Sequence, residues 1–384
     1  MNPPPRLRIA AVEPYFGGSH RHFLLDLQRH SRHDVQLFTL PARLWKWRVR
    51  GAALRMAREL NAGGSFDLLL CSDFVNLPDL RALLVPALRV VPVLYYLHEN
   101  QLSYPLSPDE TFDPYFGFTN VLSCLSAEAV AFNSDFHRLE FMRHLPDILP
   151  RLPDYEPKWV LETIAARAEV LPLGLDVAAL ASARAARASR GAPPSAPGAA
   201  MASHAVPRIL WNHRWEFDKR PERFFAALER LAARDLPFVA DVLGESFARR
   251  PPVFDTVRQA LGDRVGRFGF IESRAEYLAA LREADIVVST ANHEFFGISM
   301  AEAVLCGAHP VAPAGLVYAD LYAGPCERLH LYRDDEELAA LLERLLADPP
   351  GSHPCPIPER YRAFAWERVA PRFDDRFDSL AAHV

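Results

Sequence analysis

Three things are missing from this chain of 384 residues, and each absence narrows what it can be. Its five cysteines, Cys71, Cys124, Cys306, Cys326 and Cys355, are odd in number, and no two stand at metal-ligand spacing. That argues against a disulfide framework or a zinc finger and predicts reduced thiols in a cytoplasmic protein. No apolar run approaches the roughly 20 residues needed to span a bilayer, so stable membrane insertion is not expected. The opening MNPPPRLRIAAVEP carries no apolar signal-peptide core and reads as the lead-in to a short strand. Excess positive charge is missing too: 43 Lys and Arg against 48 Asp and Glu give a net charge of −5. A nucleic-acid partner would therefore have to be met by a local basic patch.

What the chain does have is length and a repeated pattern. At 384 residues, two domains are expected. Residues 177 to 207 hold mostly Ala, Ser, Pro and Arg, and read as a linker between domains at 1–176 and 208–359. On both sides, short apolar strands alternate with helices. The first half offers Leu7–Val12, Val35–Thr39, Phe66–Cys71, Val91–Leu97 and Ala129–Phe132. The second offers Ile209–Trp211, Phe238–Leu243, Val265–Phe270, Asp285–Ser289 and His309–Val311. This predicts an α/β protein with two Rossmann-like, doubly wound parallel sheets. Ligands of such sheets bind at the carboxyl ends of the strands, and two facing domains would make a cleft there. Residues 360–384 are amphipathic and aromatic, and read as a closing helix packed back across the first domain.

The polar residues at strand ends are the candidates for chemistry. After the first strand come Glu13, Gly17, Gly18, Ser19 and His20. Ser19 reads as a helix N-cap, and the glycine pair would let backbone approach a phosphate or sugar closely. A plain glycine turn explains the same residues. The pattern is not GxGxxG, which weakens a nicotinamide reading. His98, Glu99 and Asn100 directly follow VVPVLYYL, either as functional groups or as a solvated loop. In the second half, Arg214 and Lys219 precede a helix opened by Pro221. Two cations there could neutralise a diphosphate, or be ordinary surface charges.

The most informative stretch is HEFFGISMAEAVLCG, where Glu294 and Glu302 are separated by seven residues. A strand leads through Phe296, Gly297 and Ile298 into a helix whose N-terminal amides would attract an anionic leaving group. Glu302, one turn in, could accept from a ribose diol. Glu294 could reach a sugar across the phosphates. This is the layout of a nucleotide-sugar site.

Taken together, Gly17–Gly18, Arg214, Lys219 and the Glu294-x7-Glu302 pair resemble the retaining, family-four type of GT-B glycosyltransferases. The resemblance implies Gly18 near the diphosphate, His98 by the donor sugar, and Arg214 and Lys219 on the diphosphate. It further implies Phe270 and Ile271 framing the base, Glu294 on the sugar hydroxyls and Glu302 on the ribose. The segments VEPYFGGSHRHF, LPARLWKWRVRGAALRMA, CSDFVNLPDL, YLHENQLSYPL, FGFTNVLSCLSAEAVAFNSDFH and LPLGLD resemble the tRNA-queuosine mannosyltransferase family, and NHRWEFDKRPERFF and HEFFGISMAEAVLCG continue the likeness. That implies GDP-mannose as donor, queuosine at the tRNA wobble position as acceptor, and no required metal or other cofactor. No protein partner is expected. A lipid-linked or small-molecule sugar acceptor is the alternative, and a non-turning nucleotide-binding module a further one.

One feature bears on the acceptor from the residues alone. Arg43, Trp45, Lys46, Trp47, Arg48, Arg50, Arg55 and Arg58 fall within residues 43–58. Such a stretch could hold phosphates and stack on a loop base. It equally fits a helix with solvated arginines whose Trp45, Leu54 and Met56 face the core, or an anionic membrane surface.

Overall fold

A computed structural model describes residues 6–107, 110–188, 206–246, 250–348 and 355–382. The chain divides into two compact units, Met1–Gly174 with Phe364–Val384, and Leu175–Ala363. In the first unit six parallel strands lie in the order β2-β1-β3-β4-β5-β6: β1 Arg8–Phe16, β2 Asp34–Pro41, β3 Leu68–Ser72, β4 Val93–Leu97, β5 Ala129–Phe132 and β6 Ala168–Val170. β3, β4 and β5 are buried along their whole length, which is why they read as unbroken apolar runs without alternation. Helices cover both faces of the sheet, so each strand can be apolar on both sides.

The second unit repeats the plan with β7 Arg208–Asn212, β8 Val239–Leu243, β9 Val265–Gly269, β10 Ile286–Val288, β11 His309–Pro313 and β12 Leu331–Tyr332. Their order is β12-β11-β10-β7-β8-β9, all parallel. This is the doubly wound dinucleotide-fold order, with its reversal point between β7 and β10. In the first unit the reversal lies between β1 and β3. Loops leaving those two pairs of strands are where a ligand of each unit belongs.

Local sequence explains the helices that frame these points. The helix Pro221–Ala233 starts with proline at its first position and buries Phe224, Phe225, Leu228 and Leu231 at helical spacing. The helix Gly18–His30 is entered differently from expectation. Ser19 is not its cap; Gly17 is, with no side-chain cap bond, because the helix begins two residues earlier. A Cβ on Gly17 would lie 2.4 Å from Ala42 Cβ, so crowding requires that glycine. Gly18 sits at φ +48 with open space beside it.

Two further expectations change. Val177–Ala188 forms a helix with Leu180 buried, where composition suggested linker. Residues 189–205 lie outside the described residues. The closing segment is two helices: Ile357–Arg362 belongs to the second unit, and Trp366–Ala381 to the first. The latter buries Trp366, Phe373 and Phe377, and Asp374 accepts from Ser31 Oγ and the Arg32 amide.

Candidate active site

In the second unit, the loops after β7 and β10 meet at a buried ion cluster. Lys219 ends a short 3-10 turn, Phe217–Lys219. Its ammonium donates to the His293 carbonyl at 2.9 Å and to Glu294 Oε2 at 3.3 Å, and lies 3.1 Å from Asp218 Oδ2. Burial alone would drive the proton off; Asp218 and Glu294 outweigh it and lift the pKa to about 12. Glu294 is the mirror case. Burial favours its neutral form, but Lys219, His213 and the Gly297 amide hold its pKa down to about 2. Glu294 Oε1 accepts from the amides of Gly297 at 3.1 Å and Phe296 at 3.4 Å, fixing the turn that leads into the helix Ile298–Cys306, whose N-cap is Gly297. Gly297 is at φ +78, and a Cβ there would crowd the Tyr318 ring at 3.1 Å.

Glu302, in the second turn of that helix, accepts from Arg274 Nη2 at 2.6 Å and Tyr277 Oη at 3.1 Å. Tyr277 in turn accepts from Asn212 Nδ2 at 3.0 Å, and the same amide also donates to the Ser299 carbonyl. His213 is kept neutral, its pKa pushed to about 4 by burial and by Lys219. Its two ring nitrogens lie 3.2 Å from the Val288 carbonyl and 3.2 Å from Ser299 Oγ. Arg214 is partly exposed, 3.3 Å from Glu216. Phe270 and Ile271 line a cavity of about 320 Å³ at the end of β9, together with Leu243, Phe268, Gly269 and Glu276. Glu294, Lys219, Phe296 and Gly297 are thus one contact network; Glu302 heads a second, and Phe270 and Ile271 lie at the cavity.

The first unit gathers Glu13 in the second half of β1, His20 in the first turn of the next helix, Asp73 after β3 and His98 after β4. His20 Nδ1 lies 2.8 Å from Glu13 Oε2, and the His20 and His98 rings are 4.0 Å apart. Burial works against a charge on His20, yet Glu13, Asp73 and Glu99 raise its pKa to about 9. Burial raises Asp73 to about 8, with Glu99 and Glu13 adding to it. Asp73 Oδ1 accepts from the His98 amide at 3.1 Å. His98 is held neutral by burial and by the neighbouring His20, and its Nδ1 has no hydrogen-bond partner among the described residues. Donor atoms of Glu13, His20 and His98 lie within 4.8 Å of one another. Without a metal, the short His20–Glu13 contact is an ion pair that keeps the proton on His20. Asn100 is buried, and its Oδ1 accepts from Leu102, Ser103 and the Ser103 hydroxyl, so it shapes its own loop. Glu99 is half-buried and Ser19 exposed.

The basic stretch forms the helix Trp45–Ala62. Met56 faces the core; Leu54 does not, and with Leu44 and Trp47 it is about 70% exposed (70%, 71% and 72%). Lys46 pairs with Glu110 at 2.9 Å, and Arg50 lies 3.7 Å above the Tyr115 ring and 3.6 Å from Asp113. Arg48 donates to the Pro41 carbonyl; burial and the charges of Arg43 and Arg55 lower its pKa. Arg43 is exposed.

Sequence reasoning missed Asp73, Asp218, Arg274 and Tyr277. Asp218 stood beside a singled-out lysine; the others carry no local signal. It also missed a cluster away from both sites, where Cys326, His330 and Cys355 converge despite their spacing.

Solved structures of similar fold define the class. A sucrose-phosphate synthase from Thermosynechococcus elongatus superimposes with a TM-score of 0.73 at 20% identity, over 99% of this chain and 100% of that one. Anabaena HepE, solved with UDP and glucose, does so at 0.67 and 16% identity, over 97% and 100%. The fold is that of GT-B glycosyltransferases. The profile for the N-terminal region of tRNA-queuosine alpha-mannosyltransferases matches residues 8–175. A tRNA-queuosine alpha-mannosyltransferase of Drosophila melanogaster is 35% identical over 323 residues, 84% of this chain and 83% of the relative. This chain belongs to the tRNA-queuosine alpha-mannosyltransferase family.

Proposed function

We propose that the protein transfers mannose from GDP-mannose, with retention of configuration, to queuosine at the wobble position of a tRNA. The observation that carries the proposal is the intact Lys219–Glu294 pair at the β7/β10 reversal point in a chain of this family. Departure of a nucleoside diphosphate builds negative charge. Lys219, fixed as an ammonium, and Arg214 supply positive charge to meet it without a metal. Glu294, fixed as a carboxylate, is an acceptor for sugar hydroxyls. Glu302 is the proposed ribose partner, with Arg274 and Tyr277 holding its orientation. The cavity lined by Phe270 and Ile271 is the proposed seat of the base. His98, neutral and with Nδ1 available, is suited to accept from a sugar hydroxyl, and Glu13, His20 and Glu99 to order the acceptor diol. Among the described residues no helix is long and apolar enough to cross a membrane, and the proposed place of action is the cytoplasm.

The exposed Leu44, Trp47 and Leu54 beside cationic residues favour one second reading, a lipid-linked acceptor at an anionic surface. Mass spectrometry of anticodon nucleosides after incubation with tRNA and several sugar nucleotides decides between them. Mannosyl-queuosine from GDP-mannose supports the proposal. No modified nucleoside with any donor, together with sugar transfer to a lipid phosphate, replaces it.

A further inference from the structure

Cys326, His330 and Cys355 converge around the start of β12, the edge strand of the second sheet, and the proposed transfer reaction uses none of them. Cys326 opens the 3-10 turn Glu327–Leu329, His330 follows it, and Cys355 precedes the helix Ile357–Arg362. Their three donor atoms all lie within 4.8 Å of one another, with Cys355 Sγ 3.5 Å from His330 Nε2. A tetrahedral zinc with bonds of about 2.3 Å to sulfur and 2.0–2.1 Å to nitrogen places those two atoms about 3.5 Å apart, so the pair already stands at ligand separation. The imidazole is also set in the tautomer a metal needs. Its Nδ1 lies 3.0 Å from the Pro310 carbonyl, to which only an N–H can donate, and this leaves the Nε2 lone pair directed at the thiols. Stacking of His309 on His330, centroids 4.3 Å apart, fixes the ring plane; His330 is buried, and the two cysteines are half-buried.

We propose that Cys326, His330 and Cys355 form a structural site for one zinc ion, with water as the fourth ligand. On binding, both thiols lose their protons to solvent and become thiolates, while His330 coordinates as the neutral ring. The ion joins the turn before β12 to the segment entering the helix Ile357–Arg362. That helix packs on Ile298–Cys306, which carries Glu302, and Tyr361 on it shares a hydrogen bond of 2.8 Å with Tyr322. The zinc therefore braces the donor-binding unit without entering its chemistry.

The test uses the full chain purified under reducing conditions, supplied with zinc and desalted. Elemental analysis is expected to give one zinc per chain, and cobalt in its place the ligand-field bands of a tetrahedral thiolate site. Cys326→Ser with Cys355→Ser should lose that metal and those bands, and the melting temperature should stop responding to zinc. Wild-type protein that holds no stoichiometric metal, or whose peptide map contains a Cys326–Cys355 disulfide under the same reducing conditions, overturns the proposal. Retention of the ion by the double variant overturns it too, by placing the metal elsewhere. If the double variant does not fold, the wild-type stoichiometry and cobalt spectrum still decide.

Discussion

The Lys219 ammonium lies 3.3 Å from Glu294 Oε2, and this one contact ties the loop leaving β7 to the loop leaving β10 where the order of the strands reverses. Lys219 is buried and Glu294 half-buried, and each helps to fix the other's charge: desolvation opposes both charges, but the lysine is held near 12 and the glutamate near 2. Lys219→Ala should therefore do two things. It should lower turnover by about two orders of magnitude, the usual effect of a lost transition-state donor. It should also destabilise the fold by about 3–5 kcal/mol, because the fully buried Asp218 carboxylate, 3.1 Å from the ammonium, is left without its cation. Arg214 is partly exposed, so Arg214→Ala should show the kinetic loss with little change in melting temperature. Turnover should not depend on added magnesium or manganese. A strict requirement for either ion in a steady-state assay would refute this account of the leaving group.

The second prediction concerns nucleotide affinity. Glu302 is oriented by Arg274 and Tyr277, both on the helix Arg274–Glu283. Glu302→Ala should weaken GDP binding by about 1.5–3 kcal/mol, the range for hydrogen bonds to a charged group. Tyr277→Phe should cost less, since Arg274 still holds the carboxylate. Calorimetry that returns wild-type affinity for Glu302→Ala removes Glu302 from the ribose.

How much of this could be read beforehand depended on whether the signal was local. Ala129–Phe132 was legible to the residue because a fully buried parallel strand is simply an apolar run. β6 and β12 were not, being three and two residues long and only partly buried. The helix at Val177–Ala188 was hidden by its small side chains; Leu180 is its buried residue among those described. Within the site, Lys219, Glu294 and Glu302 announced themselves by standing at strand and helix ends. Arg274 and Tyr277 did not, because only the fold brings their helix beside Glu302. The same holds for Cys355, whose partners are more than twenty residues away in sequence.

A third prediction follows from the first unit. His20 is raised from 6.5 to about 9, so its contribution to stability is complete below pH 6.5 and lost as pH rises through 9. Asp73 is raised from 3.8 to about 8, so the folded state again binds the extra proton, and stability falls between those values as pH rises. Both groups act in the same direction, and the melting temperature should drop between pH 6.5 and 9. Asp73→Asn removes one of the two and should flatten the drop. A melting temperature that climbs over this range contradicts the burial assigned to the pair.

Stereochemistry gives a fourth. Glu13 is engaged with His20 and the Tyr15 amide, and is thereby occupied as a partner for other groups. With the diphosphate oxygen taking the acceptor proton, an α-linked donor should give an α-linked product. A β-linked product, read from the anomeric coupling by NMR, would make Glu13 or Glu99 the general base of an inverting enzyme.

The acceptor gives the last. Of the cations expected to hold tRNA phosphates, Lys46 is paired with Glu110 and Arg50 is stacked on Tyr115. Arg43 is exposed, and Arg48 is crowded by the charges of Arg43 and Arg55, so positive potential concentrates there. Each phosphate neutralised contributes roughly 0.7 to the slope of log K against log salt for a single strand. Arg43→Glu with Arg48→Glu should therefore weaken tRNA binding at low salt, raise the KM for tRNA and reduce that slope by about 1.4. GDP-mannose affinity should be unchanged, since its proposed residues Lys219, Arg214 and Glu302 belong to the other unit. Arg50→Glu is the poorer probe, because it also removes the contact to Tyr115. The same tRNA lacking queuine should not be modified, since it lacks the attacking hydroxyl. Equal modification of queuine-free tRNA, or normal tRNA binding by the charge-reversed protein, would leave the exposed Leu44, Trp47 and Leu54 to a lipid surface instead.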